Sequence, residues 1–365
     1  MKIYFSARLR QKGYKMSKKC QKDPNRLNRV GGQAVLEGVM MKAGERTVTT
    51  CRKEDGTLAV YDGSFTSVRK KHKILNIPIL RGIINFVEML ILSVKTLNAS
   101  ADALGIEEEE GKVEKWLKKH LGVGLVDVIM VFASVLGVAL ALFLFMFLPG
   151  LISDGFALLF KSVWNTVIHP TVIAIIEGFA KIGIFIAYLW LVSLIPDIKR
   201  TFMYHGAEHK SIACFESGEE LTVENAEKHT RFHPRCGTSF MFVMILLGVL
   251  AGMLVNNIFY GLPRIALTGI RLLLLPFVVG LGFEFIMFAG KHDNFVTRAL
   301  SAPGLWIQKL TTKEPTEDML EVAIISIKCA LRDDFPEFSE FFNARPWEEK
   351  ANEESDEEKS ENEAP

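Results

Sequence analysis

The stretch LVDVIMVFASVLGVALALFLFMFL, Leu125–Leu148, decides the fold class. Its one charge, Asp127, lies near the start. Some 20 apolar residues of helix cross the ~30 Å hydrocarbon core of a bilayer, so this run is long enough to span one. Three more runs of similar character follow, at about Thr171–Ile195, Thr238–Val255 and Ile265–Ala289. The second carries Glu177 and Lys181 at i,i+4, a spacing that lets them pair on one helix face. The fourth is interrupted by Arg271 and Glu284. Four such runs so close together predict a mainly α integral membrane protein of about four transmembrane helices, not buried core helices of a soluble one.

Composition agrees. Apolar residues make up 49% of 365, and 43 basic residues nearly balance 42 acidic ones. The charge is segregated into particular stretches, the pattern of a membrane protein with polar parts outside the bilayer. Five scattered cysteines without a CxxC pair point to reduced thiols rather than a disulfide framework. The basic, polar first 30 residues have no apolar core of the length a signal peptide needs.

Orientation follows from Lys and Arg. The connections expected at 149–170 and between spans three and four hold only Lys161 and Arg264. The connection between spans two and three holds Lys199, Arg200, Lys210, Lys228, Arg231 and Arg235. The reading is therefore N-in and C-in, with a cytoplasmic His-rich loop at 196–237 inside a four-span domain at 123–290.

Around that domain, residues 1–30 read as a basic disordered N-terminus. Residues 31–122 read as a small β element followed by an amphipathic helix. Thr47–Cys51 and Leu58–Tyr61 are β-prone, with a turn signal at Asp55-Gly56. A helix from Pro78 to about Leu104, with Arg81, Glu88 and Lys95 as a polar stripe, is expected to lie along the membrane. Residues 106–120 read as a charged linker helix. Residues 291–335 form a C-terminal helical segment, with Leu320, Ala323, Ile324 and Ile327 at helical spacing over Thr316–Leu331. Residues 336–365 are an acidic tail without a core-forming pattern.

The chemistry is concentrated in two short segments, Tyr204–Lys210 (YHGAEHK) and His233–Thr238 (HPRCGT). On a helix, His205 and His209 lie one turn apart, the spacing at which two imidazoles chelate one zinc ion. The order His-x-x-Glu-His matches the inverted zincin pattern, with Glu208 as general base. His233 and Cys236 are good zinc donors that complete a set of four, and Pro234 puts them in a turn rather than on a helix. Gly206 costs this helix about 1 kcal/mol. A closed four-ligand site is structural, and catalysis requires one ligand to be absent. The bland alternative is a set of capping or headgroup-facing histidines. His229 and Glu284 are further candidates; for Glu284, pairing with Lys291 would satisfy the charge. Gly31–Met41 (GGQAVLEGVMM) lacks the Lys-Ser/Thr of a phosphate loop and reads as tight packing against the membrane domain. The spans show no chain of ionisable groups, which makes a transporter the weaker choice.

Together with Ile77–Gly82 (IPILRG), His233–Phe240 and Pro303–Leu305 through Thr311–Pro315 (TTKEP), these motifs resemble the bacterial YqhQ-like membrane proteins over roughly residues 28–332. That family carries the label of predicted metal-dependent enzyme. The resemblance implies the ligand set His205, His209, His233 and Cys236, with Glu208 as base. The expectation is a cytoplasm-facing divalent metal site, zinc by donor type, hydrolysing a peptide or lipid-linked substrate near the membrane. The alternative is a non-catalytic scaffold or accessory factor in envelope or membrane-protein biogenesis, its metal pinning the loop. The bilayer and a membrane protein are the expected partners, and nucleic acid is not.

Overall fold

The structure, a computed structural model, describes residues 23, 25–105, 125–233, 235–259, 261–291 and 295–338. The expected linker helix at 106–120 and nearly all of the acidic tail lie outside these residues. Four strands, β1 (Val30–Val35), β2 (Gly38–Ala43), β3 (Arg46–Arg52) and β4 (Leu58–Ser64), form an antiparallel meander. The described helices are α1 (Val68–Lys71), α2 (Leu80–Ala103), α3 (Leu125–Leu142), α4 (Leu148–Trp164), α5 (Pro170–Val192), α6 (Pro196–Glu216), α7 (Val223–Glu227), α8 (Gly237–Ile258), α9 (Arg264–Lys291), α10 (Phe295–Thr311) and α11 (Glu317–Ala330).

The β3–β4 hairpin is the one read from sequence. The Asp55 carboxylate accepts from the Thr57 N–H and hydroxyl, and Gly56 takes φ +78° in the turn. The β1–β2 hairpin falls on Gly31–Met41, where glycines and methionines hide the strand pattern. Successive side chains of a strand point to opposite faces, and both faces of this sheet are covered. Val39, Met41, Val48 and Val60 share a core with α6 and α11. Val35, Met40 and Cys51 pack against Leu92 and Ala103 of α2.

Two expectations change here. The segment 196–237 is not chiefly a loop. Its first 21 residues are α6, started by Pro196 in the first turn, where its missing N–H costs nothing. Helix α11 is not a one-faced amphipathic helix either. Ten of its 14 residues are buried, because the sheet covers one side and α6 the other. Three parts read as separate therefore make one sheet-bearing unit. Even residues 25–29, assigned to a disordered N-terminus, turn against the end of α6, with the Asp23 N–H donating to Glu216 O and the Asn28 N–H to Glu216 Oε1.

The remaining helices form a bundle. Among the described residues, four stretches are long and apolar enough to cross a membrane: Val135–Trp164, Pro170–Val192, Phe240–Ile258 and Arg264–Phe288. The first runs past Leu148, where a loop was expected. A π-helical turn at Phe143–Phe147 precedes Pro149 and accommodates its missing N–H, so α3 continues into α4 and only 165–169 connect to α5. Glu177 does not rely on Lys181. It binds the Arg271 guanidinium across the bundle, and Arg271 also donates to Asn256 Oδ1 at 3.0 Å. Arg264 binds Asp154 and lies 4.0 Å from Glu177. Among the described residues, the spans thus do hold a connected group of charges, contrary to the sequence reading. Glu284 pairs with Arg81 of α2 (2.6 Å) and accepts the Ile79 N–H, so its partner is Arg81 rather than Lys291. Ile79 itself adopts φ +69°, which starts α2 at Leu80 rather than Pro78. There Gly82 and Gly280 let α2 and α9 touch: a Cβ on Gly82 would lie 2.8 Å from Gly280 O.

Candidate metal centre

His205 and His209 sit on one face of α6, ring centroids 4.4 Å apart. Cys236 caps the N-terminus of α8. The two segments, 31 residues apart in the chain, converge. His205 Nε2 lies 3.2 Å from Cys236 Sγ, and one donor atom from each of His205, His209 and Cys236 falls within 4.8 Å of the other two.

The outer ring nitrogens explain how the imidazoles are held. His205 Nδ1 is 2.9 Å from the carbonyl of Thr311, and His209 Nδ1 is 2.5 Å from that of Arg231. A carbonyl only accepts, so both Nδ1 atoms carry a proton, the tautomer whose neutral ring offers Nε2 as the donor to a metal. The Thr238 hydroxyl donates to Cys236 Sγ at 3.3 Å. His209 and Cys236 are buried, and His205 is half-buried.

His233 departs from the expected set. Its ring lies 5.5 Å from that of His209, but its Nε2 is 3.4 Å from Arg235 Nη2 and 3.8 Å from Glu216. The reason is Gln308, fully buried on α10. Its amide accepts the His233 N–H and donates to the His233 carbonyl, both at 2.8 Å, fixing the backbone so that the ring turns toward Glu216. Burial lowers the His233 pKa, with Glu216 opposing. Burial would raise Glu216, but hydrogen bonds from His233 and the Asn28 N–H, with the Arg235 charge, outweigh it and hold the carboxyl below its ordinary value.

Glu208 is buried under β1. Burial pushes its pKa up to about 7, against the pull of His205 and a hydrogen bond from the Gly32 N–H. In the Gly31-Gly32 motif, Gly32 has no room for a side chain: a Cβ there would come 2.9 Å from Glu208 Cγ. That motif packs on α6, not on the membrane-type helices. Gly206 is explained likewise. A Cβ on it would meet Lys313 O at 2.0 Å, because the 311–315 segment crosses α6 there and the Lys313 N–H donates to Phe202 O. Of the other candidates, His229 lies 3.3 Å from Glu219, and Glu284 is taken up by Arg81 and Ile79. Neither belongs to the first triad. Gln308, Gly32 and the Thr311 carbonyl were missed as site elements; the TTKEP motif was the visible trace of the last.

The sequence profile described as "Protein of unknown function (DUF1385)" matches residues 77–333, which include every candidate ligand. The chain belongs to the DUF1385 family. A relative from Bacillus subtilis (strain 168), described as "Uncharacterized protein YqhQ", is 35% identical over 309 residues, covering 83% of this chain and 92% of its own length. No solved structure matches. The DUF1385 match begins just before α2, so the four strands precede it while α6, α8, α10 and α11 lie within it.

Proposed function

We propose that the chain is a multi-pass protein of a bacterial cell membrane that uses a divalent cation, zinc by donor type, to hydrolyse a peptide or lipid-linked substrate at the cytoplasmic surface. The cation would be held by His205, His209 and Cys236. The supporting observation is that two imidazoles each commit Nδ1–H to a backbone carbonyl, with His205 Nε2 3.2 Å from the Cys236 thiol and a donor atom of His209 within 4.8 Å of both, the outer-sphere arrangement that orients histidine for a metal. Two nitrogens and one sulfur fit zinc, and three protein donors is the number that leaves a position for chemistry. When bound, the cation supplies Lewis acidity and makes water more acidic.

The chain's own groups do the rest. Cys236 sits at the N-terminus of α8, and the Thr238 hydroxyl donates to its sulfur. Glu208 is the base. The Gly32 N–H holds its carboxylate, and its raised pKa suits proton transfer near neutrality. Cys236 precedes the candidate span Phe240–Ile258 by four residues, which supports chemistry close to a membrane surface. The orientation rests on the basic residues of 199–235. It also rests on both described ends of the chain joining α6 in the sheet-bearing unit, as four spans require.

The burial of His209 and Cys236 favours a second reading, a structural ion pinning α6 to α8 in a non-catalytic scaffold. Metal analysis of the detergent-purified protein tests the site. His205→Gln with Cys236→Ser is expected to remove one equivalent of zinc, and an unchanged content would sink both readings. Glu208→Gln then separates them. Loss of cellular function with metal and fold intact supports catalysis, and full function supports the scaffold.

A further inference from the structure

We propose that Cys214, Glu219 and His229 form a second metal site, for zinc or a cation of similar softness, which clips the end of α6 to α7. The donors come together through local geometry. Cys214 lies in the last turn of α6 and is fully buried. Gly218 then reverses the chain with φ +79°, and Thr222 caps α7 by accepting the Asn225 N–H. Two residues past α7, His229 faces back. One donor atom from each of Cys214, Glu219 and His229 falls within 4.8 Å of the other two, and His229 Nε2 is 3.3 Å from Glu219 Oε2.

His229 and Glu219 pair with each other, and the Cys214 thiol donates to Glu220 O at 3.5 Å. A divalent cation would join all three donors by displacing the thiol proton. The charges also fit. One thiolate and one carboxylate neutralise a divalent ion, with a neutral imidazole as third donor. A sulfur donor selects zinc, cobalt or cadmium over magnesium or calcium. The His205–His209–Cys236 group carries one negative charge and keeps the cation acidic. The second group cancels the charge, as suits a clip.

The two sites are separate. Five residues of α-helix between His209 and Cys214 advance about 7.5 Å and turn about 140°, so the second cluster uses a different face of α6. Neither site depends on the other.

The experiment uses the full-length protein in detergent, stripped of metal, reloaded with zinc and dialysed. Two zinc ions per chain are expected. Cys214→Ser with His229→Gln should leave one, and His205→Gln with Cys236→Ser should leave the other. Cobalt gives a second readout: the thiolate-to-cobalt absorption should persist in Cys236→Ser and vanish when Cys214→Ser is added. Should the buried Cys214 variant not fold, the half-exposed Glu219 offers another. Glu219→Gln is expected to weaken one equivalent about tenfold or more with an unchanged circular dichroism spectrum. A zinc content untouched by Cys214→Ser/His229→Gln or by Glu219→Gln, or no cobalt–thiolate band in Cys236→Ser, overturns the proposal. A wild type that holds a single zinc, lost in Cys214→Ser/His229→Gln and kept in His205→Gln/Cys236→Ser, would instead refute the hydrolase reading and leave the clip standing.

Discussion

The sheet-bearing unit and the helical bundle hide opposite kinds of residue. In the first, large apolar side chains are hidden: Leu320 and Ile327 of α11 are wholly buried between strands and α6. In the second, large apolar side chains face outward, with Phe179 73% and Leu273 82% exposed, while Glu177 and Arg271 are enclosed. Water around the first and lipid around the second would produce this difference, as the proposed membrane location requires. It also places different terms in charge of stability. The sheet unit depends on close apolar packing, and the bundle on charges that must find each other.

The sharpest way to break the contrast is to strand one bundle charge. Arg271→Leu leaves Glu177 buried without its partner and is expected to cost about 3–5 kcal/mol, read as a fall in thermal midpoint in nanodiscs. Glu177→Leu added to it should restore most of the loss. If the double variant is no better than the single, the pair is not what closes the bundle. In the sheet unit the matching test is steric. Gly206→Ala drives a methyl into Lys313 O and should cost about 1–3 kcal/mol or more, together with the His205–His209 metal equivalent. Retention of both would mean that the 311–315 segment yields easily.

A smaller effect comes from the buried thiols. Burial pushes both Cys51 and Cys329 up from 9.0 to about 12. Unfolded chain ionises first, so their share of stability is complete below pH 9 and is lost as pH rises toward 12. Each thiol should remove about 1.4 kcal/mol per pH unit in that window. Denaturant melts of wild type, Cys51→Ala and Cys329→Ala at pH 8 and pH 10 check this; each variant should lose less on alkalinisation than wild type. The same thiols should resist alkylation at pH 8 until the chain is unfolded.

The two regions were also unequally legible. Apolar runs announce themselves by length, and the helices long enough to cross a membrane lie close to where they were read. Only α3–α4 misled, because Pro149-Gly150 reads as a terminus unless a π turn precedes it. The charges inside the bundle were visible singly, but Asp154, Glu177 and Arg271 come from helices whose neighbours no local pattern names. The sheet unit was legible only in fragments. Its core helix looked one-faced because Ser326 and Cys329 count as polar. Yet Ser326 is fully buried, its hydroxyl 3.1 Å from Val39 O and 2.9 Å from Val48 O. At the candidate site, spacing proposed His205, His209 and Cys236, and the fold brings these three together. His233 was proposed with them, but its ring faces Glu216, a direction set by Gln308, 75 residues away.

The threading of α11 through the fold has a consequence for synthesis. Strands β1–β4 leave the ribosome first, but the helix that seals one of their faces begins only at Glu317, after all four long apolar helices have been made. At ordinary translation rates the newborn sheet waits on the order of tens of seconds with Val39, Met41 and Val48 uncovered. During that interval its apolar strands are open to strangers, so a nascent-chain holdase or prompt delivery to the insertion machinery would decide the yield of folded protein.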